Sequence, residues 1–498
     1  MTNIKIDHLT FGYDQLGSML FDNAQLNIAS VWKLGLVGRN GRGKTTLLKL
    51  LRGELPYQGQ INHQLEMSYF PKKIYDPSEL TYYALSETEE LEIWKMEREL
   101  TLLNCDLDIL WRPFHTLSGG EQTKVLLALL FLDEHSFPLI DEPTNHLDMK
   151  GRQQVAEYLK KKKQGYIVVS HDRTFLDQTV DHILAIEKNQ LILYQGNFST
   201  YEEQKAQRDA FEQAQNSKLK KEIQRLQKTA QEKAEWSASR EKDKTNKSKG
   251  FIDTEYRRVS PGAIGADAAR MMKRSKAIVQ RVEGQISEKE KLLKNIESAD
   301  ALRINYEESY HRRILQVEEL GLFYSDKCLF KDKNFELLRG ECLTIIGKNG
   351  SGKTSLLQAL LGEFSGKVEG SIQRASGLKI SRVRQNYENN QGTLEDFAEK
   401  EGLEYSHFLN NLRKLGMERR VFANRIQDMS MGQRKKVELA KSLSQRANLY
   451  IWDEPLNYLD VFNQKQILEL LLQFKPTMIL IEHDDYFVKM VSDKIVRL

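Results

Sequence analysis

Two phosphate-binding loops of the form G-x-x-x-x-G-K-[ST] occur in this chain. They are Gly38-Arg39-Asn40-Gly41-Arg42-Gly43-Lys44-Thr45 and Gly347-Lys348-Asn349-Gly350-Ser351-Gly352-Lys353-Thr354, followed by Thr46 and Ser355. Such a loop wraps backbone N–H groups around phosphates at a helix N-terminus, where the helix dipole favours an anion. Lys44 and Lys353 then reach the β- and γ-phosphates, and Thr45 and Thr354 hold Mg²⁺. Each loop is joined later by a short apolar run ending in two carboxylates, Asp141-Glu142 and Asp453-Glu454. The aspartates are expected to complete the metal's coordination and the glutamates to orient or deprotonate the attacking water. His171 and His483, each after an apolar run, are candidates for the γ-phosphate; with the two glutamates they form the expected catalytic set. Taken alone, a histidine after a strand is more often structural. Here the offset repeats: Glu142 to His171 and Glu454 to His483 both span 29 positions, and Ser118 to Glu142 and Ser430 to Glu454 both span 24. The chain is an internal duplication of a nucleotide-hydrolysing domain.

Strands must deliver these residues. Gly35-Leu36-Val37 and Leu343-Thr344-Ile345-Ile346 feed the two loops, and leucine-rich helices follow. Alternating elements predict two α/β domains with largely parallel sheets, over about 1–200 and 299–498. Aromatics precede each loop, Phe11-Gly12-Tyr13 and Phe323-Tyr324, and Tyr13 or Tyr324 is placed to stack on adenine. The bland alternative is an ordinary strand aromatic. Leu117-Ser118-Gly119-Gly120-Glu121 and Ser430-Met431-Gly432-Gln433 each open a helix with small residues, a second phosphate-binding end that cannot fold onto its own domain's loop. Cys105, Cys328 and Cys342 have no paired spacing and read as thiols of a reducing cytosol. The apolar fraction of 40% contains no run long enough to span a membrane, and a cytoplasmic location is expected.

The middle differs in kind. Between Lys218 and Lys276 stand 17 Lys or Arg against 8 Asp or Glu, although the whole chain carries only +4. From 201 to 298 strong helix formers dominate, with Ile223, Leu226, Ala230, Ile278, Val282, Ile286, Leu293 and Ile296 at helical spacing. Two long helices in an antiparallel coiled-coil hairpin are expected, with an irregular tip over about 237–265. The tip carries Lys244, Phe251, Ile252, Tyr256, Arg257, Arg258 and Val259. A plain solvated spacer would need neither this length nor exposed aromatics between basic arms.

On these motifs the chain resembles ATP-binding cassette proteins, which implies ATP and Mg²⁺ as ligands. It also implies a head-to-tail pairing, within one monomer, of each half's phosphate loop with the other half's serine-glycine signature. More specifically it is similar to ABC-F translation factors: two cassettes in one chain, Tyr194-Gln195-Gly196-Asn197-Phe198 entering a basic helical linker, and Asp141-Glu142-Pro143-Thr144-Asn145-His146-Leu147-Asp148. Trp111-Arg112-Pro113-Phe114, Phe137-Pro138-Leu139-Ile140, Met429-Ser430-Met431-Gly432-Gln433 and the run Asn410 to Arg419 look like the Lsa-type resistance proteins of that family. Lys72 to Ser118 spans 46 positions and Gln385 to Ser430 spans 45, leaving little room for the arm that housekeeping members insert in the first cassette. The resemblance implies binding of the 70S ribosome (23S rRNA, P-site tRNA and 50S proteins) in the exit-tRNA site, with the linker aimed at the peptidyl-transferase centre. It implies protection against lincosamides, pleuromutilins or streptogramin A compounds. A membrane domain or DNA partner is not expected; a housekeeping factor and the cytosolic ATPase of an exporter are the alternatives. Two positions depart from the family pattern. Lys72 stands where cassettes place the glutamine that Gln385 supplies beside the metal, and Met431 replaces a signature glycine. Head-to-tail pairing puts both departures in one composite site, which is expected to hydrolyse ATP differently from the other.

Overall fold

The computed structural model describes residues 3–13, 19–86, 91–145, 147–246, 300–324 and 327–498, with isolated positions between 277 and 289. Side chains of the long helix are described as far as 229 and at 231–232. Residues Met1–Tyr201 and Ala299–Leu498 form one compact unit, and Glu202–Ser298 form another.

Within the first unit each half carries the expected α/β sheet. In the first half, six strands run in the order Met67–Phe70, Phe137–Asp141, Tyr166–Val169, Lys33–Gly38, His182–Glu187, Gln190–Gln195. Only the last pairing is antiparallel. The central strands read as unbroken apolar runs because helices cover both faces; Tyr166–Val169 is buried at every position. The second half has five parallel strands in the order Ile380–Val383, Leu449–Asp453, Met478–Ile481, Cys342–Ile346, Lys494–Arg497. A three-stranded antiparallel sheet accompanies each (Phe21–Ala29, Asn3–Phe11, Gln58–Asn62, and Lys327–Leu338, Arg313–Tyr324, Lys367–Arg374).

The register aligns the two halves at their carboxylates. Phe70 pairs Ile140 one residue before Asp141, and Val383 pairs Trp452 one residue before Asp453. Pro71 and Lys72 are therefore the equivalents of Arg384 and Gln385. The signature helices Gly119–Leu130 and Met431–Ser444 are capped by Ser118 and Ser430, each with a reciprocal bond to Glu121 or Gln433.

The helix Phe198–Asn246, which belongs to the second unit from Glu202 on, runs 49 residues, a rise of about 74 Å. Asn197 accepts from the Thr200 N–H and hydroxyl at 3.1 and 2.8 Å and so starts the helix. The helix continues past Ser237 to Asn246, because helix formers persist until Gly250. Described positions between Ala277 and Lys289 are helical, and the Lys289 ammonium meets the Glu222 carboxylate. Phe251, Ile252, Tyr256, Arg257, Arg258 and Val259 lie outside the described residues, as do the side chains of Lys244 and Ala230, and Ile278, Leu293, Ile296 and His146.

Candidate functional site

Strand ends place the reactive groups. The strand Lys33–Gly38 delivers the first phosphate loop, which turns through Gly43 at φ 92° into the helix Lys44–Leu51. A Cβ-bearing residue is strained at that angle. Gly352 repeats the turn at φ 95° before the helix Lys353–Leu361. Beyond the strands Phe137–Asp141 and Leu449–Asp453, Glu142 and Glu454 take left-handed φ of 53° and 47°, a strain typical of functional turns. Their N–H groups are held by the Val169 and Ile481 carbonyls, both at 2.9 Å.

The first loop and the second half's signature wall one cavity of about 880 Å³. From the first half come Tyr13, Asn40, Gly41, Gly43, Lys44, Thr45, Thr46, Asp141, Glu142 and His171; from the second come Ser430, Met431, Gly432 and Gln433. The sequence-predicted residues are thus brought together from opposite halves. Across the junction the Asn40 N–H donates to Asp460 Oδ2 at 2.8 Å and its side-chain amide donates to the Tyr458 carbonyl at 2.9 Å. Gly432 packs against this contact: a Cβ there would stand 3.0 Å from the Tyr458 oxygen and 3.1 Å from the Asn40 amide. Met431, by contrast, is 45% exposed. The close approach therefore falls on the glycine that is kept, not on the one replaced.

Chemically the cavity suits a triphosphate and a metal ion. The Lys44 ammonium is buried and donates to the Gly38 carbonyl and Asn40 Oδ1 at 2.9 and 3.2 Å. Thr45 donates to Asp141 Oδ2 at 2.8 Å, an arrangement of one hydroxyl and one carboxylate that suits Mg²⁺ sharing its other positions with phosphate and water. Glu142 Oε1 lies 3.1 Å from His171 Nε2, and His171 Nδ1 is buried without a hydrogen-bond partner among the described residues. Burial, only partly offset by Lys44, pushes Glu142 up to about 8. Burial and Lys44 hold His171 neutral. Tyr13 lies at the rim and its hydroxyl is 3.2 Å from the Thr46 hydroxyl. Gly38, Arg39, Arg42 and Lys72 lie outside the cavity lining; Arg39 stacks on Phe462, 5.7 Å from the ring centre.

The second set is wired differently. Lys353 donates to the Gly347 and Lys348 carbonyls, both at 2.9 Å, while Thr354 reaches Asp453 Oδ2 at 3.4 Å. Burial raises Glu454, but His483 and Gln385 outweigh it and hold the carboxyl at about 2. Asp453 is pushed up to about 6 by burial and by Glu454. Asn349 N–H reaches Asp148 Oδ2 at 3.4 Å, a longer version of the Asn40–Asp460 bond. Among the described residues, Ser351 Oγ and Asp453 Oδ1 are buried without hydrogen-bond partners. Ser118, Gly119, Gly120 and Glu121 form the capped start of the first signature helix. Tyr324 packs edge-on against Phe364, with centroids 4.8 Å apart.

Sequence reasoning missed Asp148 and Asp460. Their signal was present, since each closes the repeated run that starts at Asp141 or Asp453. It also missed the wall segment Gly416, Met417, Glu418, Arg420, Val421 and Asn424, for which no local pattern announces a cavity.

The family described as ABC transporter matches residues 21–145 and 330–457. The chain is 31% identical over 501 residues to the ribosome protection protein VmlR of Bacillus subtilis (strain 168), covering 97% of this chain and 85% of that one. It is 27% identical over 526 residues to the energy-dependent translational throttle protein EttA of Mycobacterium tuberculosis (strain CDC 1551 / Oshkosh), covering 94% and 87%. A solved structure of RNase-L Inhibitor shares the fold, with TM-score 0.61 and 20% identity over 99% of this chain and 87% of that one.

Proposed function

Since the chain belongs to the ABC-F family of ATP-binding cassette proteins and is an ATP hydrolase, we propose that it works on the bacterial ribosome. ATP closes the two halves, the basic linker is set in the exit-tRNA site toward the peptidyl-transferase centre, and hydrolysis releases it. Drugs bound at that centre (lincosamides, pleuromutilins or streptogramin A compounds) are thereby countered, as in the Lsa-type proteins. The reading rests on one observation: similarity to a ribosome protection protein runs over 97% of the chain, the basic middle included. An excess of nine positive charges between 218 and 276 suits polyanionic RNA. Among the described residues no helix is long and apolar enough to cross a membrane, so an exporter reading would need a separate subunit and would leave the linker idle.

Within each site, Lys44 or Lys353 would bind the β- and γ-phosphates, Glu142 or Glu454 would orient the attacking water, and His171 or His483 would contact the γ-phosphate. Thr45 with Asp141, and Thr354 with Asp453 and Gln385, would hold Mg²⁺, which neutralises phosphate charge when bound. The opposite half's Ser430 or Ser118 closes the site over its nucleotide.

Co-sedimentation of the Glu142→Gln/Glu454→Gln protein with 70S particles tests the reading. With ATP, pelleting near one protein per ribosome is expected, and deletion of 237–265 should abolish protection of translation from the drugs. If the trapped protein stays in the supernatant at physiological salt, the ribosomal reading fails.

A further inference from the structure

Beneath the second cassette's signature lies a cluster of buried charges that hydrolysis does not use. Glu438 sits two turns into the helix Met431–Ser444, fully buried. Its Oε1 accepts from the Arg384 N–H at 3.2 Å, the Arg384 Nε at 2.9 Å and the Lys441 ammonium at 2.6 Å. Its Oε2 accepts from Arg384 Nη2 at 3.1 Å and from the Asn390 amide at 2.8 Å. Burial alone would raise this carboxyl, but the Arg384 bonds and the Lys441 charge hold it at about 2. One turn earlier, buried Lys435 points its ammonium at the Asp453 carbonyl, 3.5 Å away.

The partners of this cluster belong to different ATP sites. Arg384 immediately precedes Gln385, which lies near enough to Glu454 in the Lys353 site to help hold that carboxyl low. The helix bearing Glu438 begins at Ser430, which walls the Lys44 cavity, about 12 Å along the axis. The first cassette has no counterpart. Its residues at the equivalent positions are Pro71, Leu126 and Leu129, and a proline has no N–H to offer a carboxylate.

We infer that Glu438 is a positioning residue that locks the loop carrying Gln385 to the helix carrying Ser430, so that nucleotide at the Lys353 site sets the closure of the Lys44 site. The molecule has one such link, not two, because the first cassette lacks these residues. It rests on the reading of both sets as ATP sites, and on nothing ribosomal. A buried carboxylate that accepts five hydrogen bonds suits such a role, because it resists partial rearrangement and moves with its partners as a unit. Replacing the carboxylate alone would strand the buried Lys441 charge, whereas Glu438→Leu/Lys441→Leu removes both, copies Leu126 and Leu129, and leaves Arg384, which is partly exposed, to turn to solvent.

The test is single-turnover hydrolysis by the full chain without ribosomes, in a Glu454→Gln background where the Lys44 site does the chemistry. Gln385→Ala and the leucine pair should each slow turnover there about tenfold, with ATP affinity within about twofold. Combined they should slow it no further, because both cut the same link. Losses that multiply to about a hundredfold, or a leucine pair without effect, overturn the inference alone. Should the leucine pair fail to fold, Glu438→Gln is judged by the same non-additivity with Gln385→Ala. Absence of turnover in the Glu454→Gln parent overturns the assignment of the Lys44 site, and the inference with it. In the mirror background, Glu142→Gln, Lys72→Ala should change turnover less than about twofold; a tenfold loss there would show an equal link in the first cassette and refute the assignment of the link to the Glu438 cluster.

Discussion

Glu142 and Glu454 occupy equivalent positions yet settle in opposite protonation states, at about 8 and about 2. For Glu142 the folded value lies above the unfolded one, so at pH 7 burial of this carboxyl costs stability that a neutral amide would not. For Glu454 the folded value lies below, and its ionised form contributes stability at any pH above its unfolded value. Without nucleotide, thermal melts at pH 7 should therefore move in opposite directions: Glu142→Gln up and Glu454→Gln down, each by roughly 2–4 °C. Equal shifts of one sign would remove the asymmetry between the sites. Gly432 and Met431 supply a second contrast. Gly432→Ala must push the Asn40–Tyr458 contact apart by a few tenths of an ångström. ATPase should fall about tenfold, about 1.4 kcal/mol of lost closure, while Met431→Ala stays within about twofold. The sequence alone marked Met431 as the departure. That Gly432 is the point of close contact depends on which backbone lies across the junction, which no local pattern carries.

The signature helices show how far element-level reading reaches. Ser118 and Ser430 followed three residues later by Glu121 and Gln433 announce capped helix starts, and the structure has both boxes. Strands feeding the loops and the carboxylates were equally legible, because unbroken apolar runs ending in acid are rare. The Glu438 cluster was not. In sequence, Lys435, Glu438 and Lys441 look like the charged face of an ordinary helix, and Arg384 lies 54 residues from Glu438. Only the packing reveals that this face is buried. Because Glu438 is held below its ordinary range, its contribution is fully present above about pH 4.5 and is lost as pH falls toward 2. Wild type should exceed Glu438→Gln by about 2–4 kcal/mol at pH 7, and the gap should narrow in denaturant melts taken toward pH 3. A gap independent of pH would show that the charge contributes nothing.

At the scale of the molecule, two nucleotide-binding halves form one compact unit and the basic middle forms another. The duplication and the linker's helical character could be read from spacing and composition. The contacts of its tip could not, since recognition there depends on side chains meeting a partner, not on a pattern within the chain. If that partner is RNA, affinity should fall steeply with salt. Raising salt from 50 to 200 mM should weaken binding of the trapped protein to ribosomes by at least about a hundredfold, and charge-neutral substitutions at Arg257 and Arg258 should flatten the slope. A salt-independent affinity would point to protein surfaces instead.

The shared wall of the Lys44 cavity has a genetic meaning. Lys44 and Ser430 are separated by 386 residues of sequence yet border the same space. Lesions at these two codons are therefore defects of one site. Combined in one chain, lesions at Lys44 and Ser430 should cost little more than either alone. Lesions at Lys44 and Lys353 in one chain, though chemically alike, are defects of two.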